Sequence, residues 1–272
     1  MKSTSKILFT DLDNTLLNSQ KQITPENRQA ICQAIHQGSQ IVLCTGRPLI
    51  GAMPQIRELS LTKPGCYAIT YNGGVIYDCF RNQVIFQKTI PIPYVKYIFE
   101  KSRQYDLFCQ TYSDTHLLAP YPSPALDAYI SRNKIPFRII PTLPDSLEEE
   151  PSKVLVIGLN APEKLSAYRA ALEVWAKDKI SVFYSNASYL EHVPLGVSKG
   201  ASIEWLCHYL NIPMARTIAA GDAQNDIPML QTAQIGVAMA NATSECKAAA
   251  DYVTENDCDH SGVAEIIHRF LL

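Results

Sequence analysis

The chain has 272 residues, of which 47% are hydrophobic and 18% charged, and its net charge at pH 7 is −2. This is the composition of a globular protein of one large or two medium domains. It lacks the basic footprint of a nucleic-acid binder, and no apolar run reaches the ~18 residues of a membrane span.

The run ILFTD (7–11) reads as a short buried strand. Thr24 and Pro25 then open a helix as N-cap and first helical position, and Gly38 closes it. IVLCT (41–45) is the next strand, followed by a helix from about Pro48 to Leu59 and a third strand, YAITYN (67–72), that ends in the turn signal Asn72-Gly73-Gly74. From 83 to 190 the texture changes. Strands come in pairs (107–112 with 115–119, 180–185 with 189–193), prolines cluster, and nine of the fourteen tyrosines fall here. Beyond it come a helix from Ser198 to Leu210, the strand TIAAGD (217–222), a helix to about Thr232, the strand IGVAMA (235–240) and a final helix over 262–271. Strand–helix alternation at both ends predicts an α/β fold, with a parallel sheet covered on both faces. The expected organisation is a core of residues 1–82 plus 191–272, with a second α/β domain, 83–190, inserted into it. The eight cysteines form no CxxC pair and no zinc-like spacing with histidine. Cys32, Cys44 and Cys207 lie in apolar patterns as small core residues. With no signal peptide in the opening residues, a reducing cytoplasm is the expected setting.

Chemistry gathers at four places. Asp11 and Asp13 stand one residue apart at the end of the first strand. Two carboxylates about 5 Å apart repel by roughly 3 kcal/mol at an effective dielectric near 20, so a proton, a cation or solvent must offset the cost. An EF-hand fails, because Leu16 and Gln22 stand where it needs Gly and Glu; a solvated turn stays open. An Asp at the carboxyl end of a central strand sits where open α/β sheets bind ligands and can attack phosphorus, and a second carboxylate can move the proton. Thr45-Gly46-Arg47 ends the second strand; it is either a plain strand end or a hydroxyl and backbone N–H groups aimed at a phosphoryl oxygen. Gly196-Val197-Ser198-Lys199-Gly200 is not a P-loop. With Ser198 as N-cap, Lys199 opposes the helix dipole in the first turn, which suggests a partner anion unless the lysine is merely tolerated at the surface. Gly221-Asp222-Ala223-Gln224-Asn225-Asp226 follows another apolar strand. Asp222 is its better metal ligand, and Asn225 or Asp226 reads as the cap of the next helix. Four strands and helices thus converge on one set of groups, and a divalent cation is the most economical relief for Asp11 and Asp13.

With these motifs in this order, the chain resembles the haloacid dehalogenase superfamily of phosphatases, and within it the Cof-type branch with an α/β cap. The resemblance runs through DLDNTLL, TGR, YNGG, LEHVP with GVSKG, GDAQNDIPML and HSGVAEII, most of the chain. It implies a Rossmann-like core and a magnesium-dependent phosphatase acting on small phosphate monoesters, sugar phosphates or a phosphorylated cofactor. By the same resemblance, Asp11 is nucleophile and Mg2+ ligand. Asp13 is general acid/base and gives its backbone carbonyl to the metal, and Asp222 is the third metal ligand. Leu12, Thr45, Gly46, Lys199, Asn225 and Asn72 contact phosphate or substrate, and Asp226 supports them. Asn14 stands where the family usually has Gly; Asn tolerates left-handed angles, so the chemistry should survive. The inserted domain would close over the site and select the leaving group. A phosphomutase of the same superfamily and a non-catalytic sensor of a phosphorylated metabolite are the alternatives. A signalling receiver, half this length or less, fits poorly. Neither the leaving group nor the oligomeric state is written in these motifs.

Overall fold

The side chains of Ile7, Leu8, Phe9 and Thr10 are fully shielded from water, as a strand covered on both faces requires. They form β1 (Ile7–Thr10) in a computed structural model that describes residues 6–272. Next comes α1 (Pro25–His36), opened by Thr24, whose hydroxyl accepts the N–H of Asn27. Then follow β2 (Gln40–Cys44), α2 (Leu49–Glu58), β3 (Tyr67–Thr70), β4 (Val75–Asp78) and β5 (Gln83–Gln87). The expected third strand stops short of Tyr71 and Asn72, because both take left-handed angles, φ 52° and 56°, and turn the chain into antiparallel β4. The middle of the chain supplies α3 (Ile92–Gln104), β6 (Phe108–Tyr112), β7 (Leu117–Ala119), α4 (Pro124–Asn133), β8 (Phe137–Ile139), β9 (Val154–Ile157), α5 (Pro162–Ala176), β10 (Ile180–Asn186) and β11 (Tyr189–Pro194). The last part supplies α6 (Lys199–Leu210), β12 (Thr217–Gly221), α7 (Ile227–Thr232), β13 (Ile235–Ala238), α8 (Ser244–Ala248), β14 (Tyr252–Val253) and α9 (Gly262–Phe270).

Two units result. The first holds the opening segment to Gly46, Ala52–Phe86 and Ser198–Leu272; the second holds Arg47–Gly51 and Gln87–Val197. The sheet of the first has the order β14-β13-β12-β1-β2-β3-β4-β5 and is parallel from β14 to β3. Thr10 pairs with Ala220 on one side and Leu43 on the other. That register brings the carboxyl ends of β1, β2 and β12 level, so the loops beginning at Asp11, Thr45 and Asp222 start side by side. Cys32 does not join this core. The buried stripe of α1 is Asn27, Ala30, Ile31 and Ala34, and Cys32 falls off it, exposed, while Cys44 and Cys207 are buried.

The second unit has its own sheet, ordered β10-β11-β9-β6-β7-β8. Its core packs Ile98 and Phe99 of α3 and Leu165, Tyr168 and Leu172 of α5 on Val154 and Val156. The break points differ from the expected 83 and 191. β5 extends the first sheet, and β11 is held between β10 and β9 by antiparallel pairing on both sides, so the chain returns to the first unit at Ser198. One ion pair is buried here: Lys153 Nζ lies 3.1 Å from Glu191 Oε2, with both side chains at most 5% exposed. The Ser185 hydroxyl donates to the other carboxylate oxygen, 2.8 Å away. Removing one partner strands the other charge, at a cost of about 3–5 kcal/mol. Lys153→Met should therefore lower urea-unfolding stability by about that much, and Lys153→Met/Glu191→Leu should recover most of it.

Candidate active site

Asp11 follows β1 directly, is 6% exposed, and its N–H donates to the carbonyl of Ala220 at 2.9 Å. Ser198 caps α6 by accepting the N–H of Ala201 at 3.1 Å, which makes Lys199 the first helical residue. The partner anion that this unfavourable position called for is present twice. Lys199, fully buried, donates to Oδ1 of Asp11 and to Oδ1 of Asp226. The other oxygen of Asp226 accepts the N–H groups of Asp222 (2.9 Å) and Ala223 (3.0 Å). Asp226 holds the N-cap position of α7, but its side chain makes no capping bond to that helix and turns back onto the end of β12. Gly221 leaves the room for this, since a Cβ there would lie 2.4 Å from Cβ of Asp226. The Thr15 hydroxyl donates to Asp222 Oδ1 at 3.2 Å. Asn14 takes φ 59°, the left-handed conformation its amide side chain tolerates.

Asp11, Asp222 and Asp226 each bring one carboxylate oxygen within 4.8 Å of the others. Three buried carboxylates face one buried ammonium, and the two negative charges left over when all are ionised are what a divalent cation would neutralise. Burial pushes the Asp11 carboxyl well above its ordinary range; Lys199 opposes the rise, and Asp226, Asp222 and Asp13 add to it. Burial and the neighbouring Asp226 push Asp222 up to about 7, against Lys199 and hydrogen bonds from Thr15 and Asn14. Burial alone would lower Lys199, but the two carboxylates it bridges outweigh that and raise it. An all-oxygen set of carboxylates suits a hard cation such as Mg2+. Asp11 and Asp222 can offer oxygens directly, whereas both oxygens of Asp226 are taken. A metal here competes with protons on Asp11 and Asp222. Its apparent affinity should fall about tenfold per pH unit below pH 7 for the proton displaced from Asp222, with a further loss from the raised Asp11, as calorimetric Mg2+ titrations at pH 8, 7 and 6 will read.

Asp13, expected in the metal set through its carbonyl, turns its carboxylate to Lys21 at 2.7 Å, with the pair about a quarter exposed. Leu12 is buried, and its N–H has no hydrogen-bond partner among the described residues. Thr45 donates its N–H to Ile69 and accepts that of Asn72 at 3.0 Å. Asn72, fully buried, accepts Nδ2 of Asn225 at 3.0 Å. Its amide packs on Gly46 so closely that a Cβ there would meet it at 3.0 Å. Its own Nδ2 has no hydrogen-bond partner among the described residues. Asn72 therefore ties the end of β2 to the loop after β12. Two neighbours of these groups were not singled out in the sequence. Thr15 stands two residues after Asp13 in a stretch already read as chemical. Lys21 carries no sequence signal, because only the left-handed turn at its own position (φ 62°) swings it back to Asp13.

All these residues belong to the first unit. Residues 8–267 match the model of the haloacid dehalogenase-like hydrolases. The chain belongs to that family. The hydrolase is similar to the crystal structure of a haloacid dehalogenase-like hydrolase from Bacteroides thetaiotaomicron, with a TM-score of 0.89 and 32% identity over 97% of this chain and 99% of the other. It is 30% identical to YxeH of Bacillus subtilis (strain 168) over 274 residues, 98% of each chain. It is 27% identical to the 5-amino-6-(5-phospho-D-ribitylamino)uracil phosphatase YcsE of the same organism, over 98% of this chain and 96% of that one. The expected family, its α/β fold with an inserted α/β domain, and the class of phosphoric monoester hydrolase stand with these likenesses. No helix among the described residues is long and apolar enough to cross a membrane.

Proposed function

We propose that this hydrolase is a magnesium-dependent phosphatase that cleaves small phosphate monoesters, sugar phosphates or a phosphorylated cofactor, through an aspartyl-phosphate on Asp11. One observation carries the reading: three buried carboxylates share one buried ammonium at the level ends of β1 and β12. Such a charge deficit is costly unless a divalent cation completes it. The name of YcsE supports the substrate class, since its phosphate sits on a polyol chain attached to a planar ring.

In this mechanism Asp11 and Asp222 hold the metal, together with the Asp13 carbonyl. Bound Mg2+ would supply neutralising charge for the phosphoryl oxygens. Lys199 holds Asp11 on Oδ1 and leaves Oδ2, which accepts no hydrogen bond from the described residues, to attack phosphorus in line. The Leu12 N–H, Thr45, Gly46 and Asn225 orient the phosphoryl oxygens, and Asn72 holds Asn225 and Gly46 in place. As the bond from phosphorus to the ester oxygen breaks, Asp13 gives that oxygen its proton; this requires the carboxylate to leave Lys21. Asp13 then takes a proton from water, which attacks the aspartyl-phosphate, releases phosphate and restores Asp11. Catalysis is positioning and charge neutralisation. The second unit selects the leaving group, and eight free cysteines fit a reducing cytoplasm.

The test is phosphate release from a panel of sugar phosphates, pyridoxal phosphate and flavin mononucleotide, with Mg2+ and with a chelator. Metal-dependent release is expected. Isomerisation of a sugar phosphate without release would replace the reading by a mutase, and binding without turnover would replace it by a sensor.

A further inference from the structure

Asn241 belongs to none of the four stretches where chemistry gathers, and its side chain is exposed. Both ends of its amide are nonetheless engaged. Nδ2 donates to the carbonyl of Asn14 at 2.8 Å, and Oδ1 accepts the N–H of Cys258 at 2.9 Å. A carbonyl can only accept and an N–H can only donate, so one orientation of the amide serves both. Asn241 stands in a loop fastened to the end of β12. Met239 donates its N–H to the carbonyl of Gly221 at 3.0 Å, and Thr243 donates its N–H to that of Asp222 at 2.9 Å. The N–H of Ala242 turns back to Met239, and that of Ala240 reaches the Thr254 hydroxyl, each at 2.9 Å. The loop is therefore tied to Asp222, and Asn241 ties it in turn to the loop after β1. The bond adds nothing to the core, since β12 and β13 are already paired from Ile218 to Gly221.

We propose that Asn241 is a positioning residue for the metal site, which fixes the Asp13 carbonyl relative to Asp222 and so favours Mg2+ over a larger cation. The inference rests on the phosphatase reading above, in which both groups hold the metal. Peptide units are planar, so only the two backbone angles of Asn14 lie between its carbonyl, which Asn241 holds, and the carbonyl of Asp13. Asn14 takes φ 59°, and a left-handed residue other than glycine persists where its surroundings hold it. On the other side of the same turn, the Thr15 hydroxyl donates to the Asp222 carboxylate. The turn is thus held from both sides against the strand end that carries Asp222. Mg2+ needs near-octahedral ligands at about 2.0–2.1 Å, whereas Ca2+ accepts looser sets at about 2.3–2.6 Å. A fixed spacing therefore matters more to the smaller ion.

The test is calorimetric titration of the metal-free full chain with Mg2+ and, separately, with Ca2+, for the native protein, Asn241→Ala and Asn241→Asp. Asn241→Ala should weaken Mg2+ binding by about tenfold and leave Ca2+ little changed, so the ratio of the two affinities falls. Asn241→Asp keeps an acceptor for the N–H of Cys258 but sets an acceptor against the Asn14 carbonyl. Its added charge acts on both divalent cations alike, so the ratio should fall as it does in Asn241→Ala. In chelator both variants should melt close to the native protein, because the position is exposed. Equal losses for both ions would mean general loosening, and a native ratio in Asn241→Asp would credit the Cys258 bond; either overturns the proposal. Variants unfolded in chelator would make Asn241 structural and overturn it as well. A native protein that binds no Mg2+ would overturn the phosphatase reading itself, and this proposal with it.

Discussion

Asp11→Asn should abolish phosphate release, lowering kcat/KM by a factor of about 10⁴ or more, while the protein stays folded. Asparagine nearly matches the shape of Asp11 but carries no anionic oxygen to attack phosphorus, so the first chemical step is lost. Stability should move the other way. Asp11 is a buried carboxylate whose charged form is disfavoured by burial and by three neighbouring carboxylates. Its replacement leaves Lys199 bridging one carboxylate instead of two. Metal-free Asp11→Asn should thus melt no lower than the native protein at pH 8, and added Mg2+ should raise its melting temperature less. The pairing of lost turnover with retained or improved melting is the informative result. A variant with activity within tenfold of native would remove Asp11 from the chemistry, and one that fails to fold would make it structural.

The strands that position the site were legible because each is an apolar run ending in a polar group. ILFT, QIVLC and TIAAG are buried at every position, and a strand covered on both faces has no other pattern. Lys199 was legible for the opposite reason, since a cation in the first turn of a helix conflicts with the dipole, and the conflict is resolved by Asp11 and Asp226. From its neighbours in sequence Asp226 read as a cap, and only the resemblance gave it a supporting role. Its true contacts depend on the missing Cβ of Gly221 and on backbone N–H groups three and four residues earlier, and local propensity carries no such information. The insertion was visible as a change of texture, but its limits were displaced at both ends. β5 joins the first sheet beside β4, and β11 is fixed in the second between β10 and β9; which sheet a strand joins is decided by its pairing, not by its own composition. Asn72 falls between these cases: the Asn-Gly turn marked it, but its hold on Asn225 joins residues 153 positions apart.

Lys199→Met tests the charge balance of the site more sharply than any loss of activity can. The substitution keeps a long unbranched side chain but removes the buried ammonium that pairs with both Asp11 and Asp226. Uncompensated, the buried carboxylates should cost about 3–5 kcal/mol of stability at pH 8 in the presence of a chelator. The loss should shrink as the pH falls. Asp222 already takes up its proton near 7 in the native protein, and Asp11 is raised as well. Without the ammonium both should rise further. A carboxyl with a raised folded value binds more protons folded than unfolded, so its contribution to stability is gained below the folded value and lost as the pH climbs through it. Thermal unfolding at pH 8 and pH 6 should therefore show a large deficit at the first and a small one at the second. Mg2+ should repair the deficit at pH 8, because a divalent cation meets the same charge that Lys199 met, while turnover stays about 10²–10³-fold down for want of a donor to the phosphoryl group. A deficit equal at both pH values and indifferent to Mg2+ would mean that Lys199 contributes packing alone, and the case for a cation at Asp11 and Asp222 would fall with it.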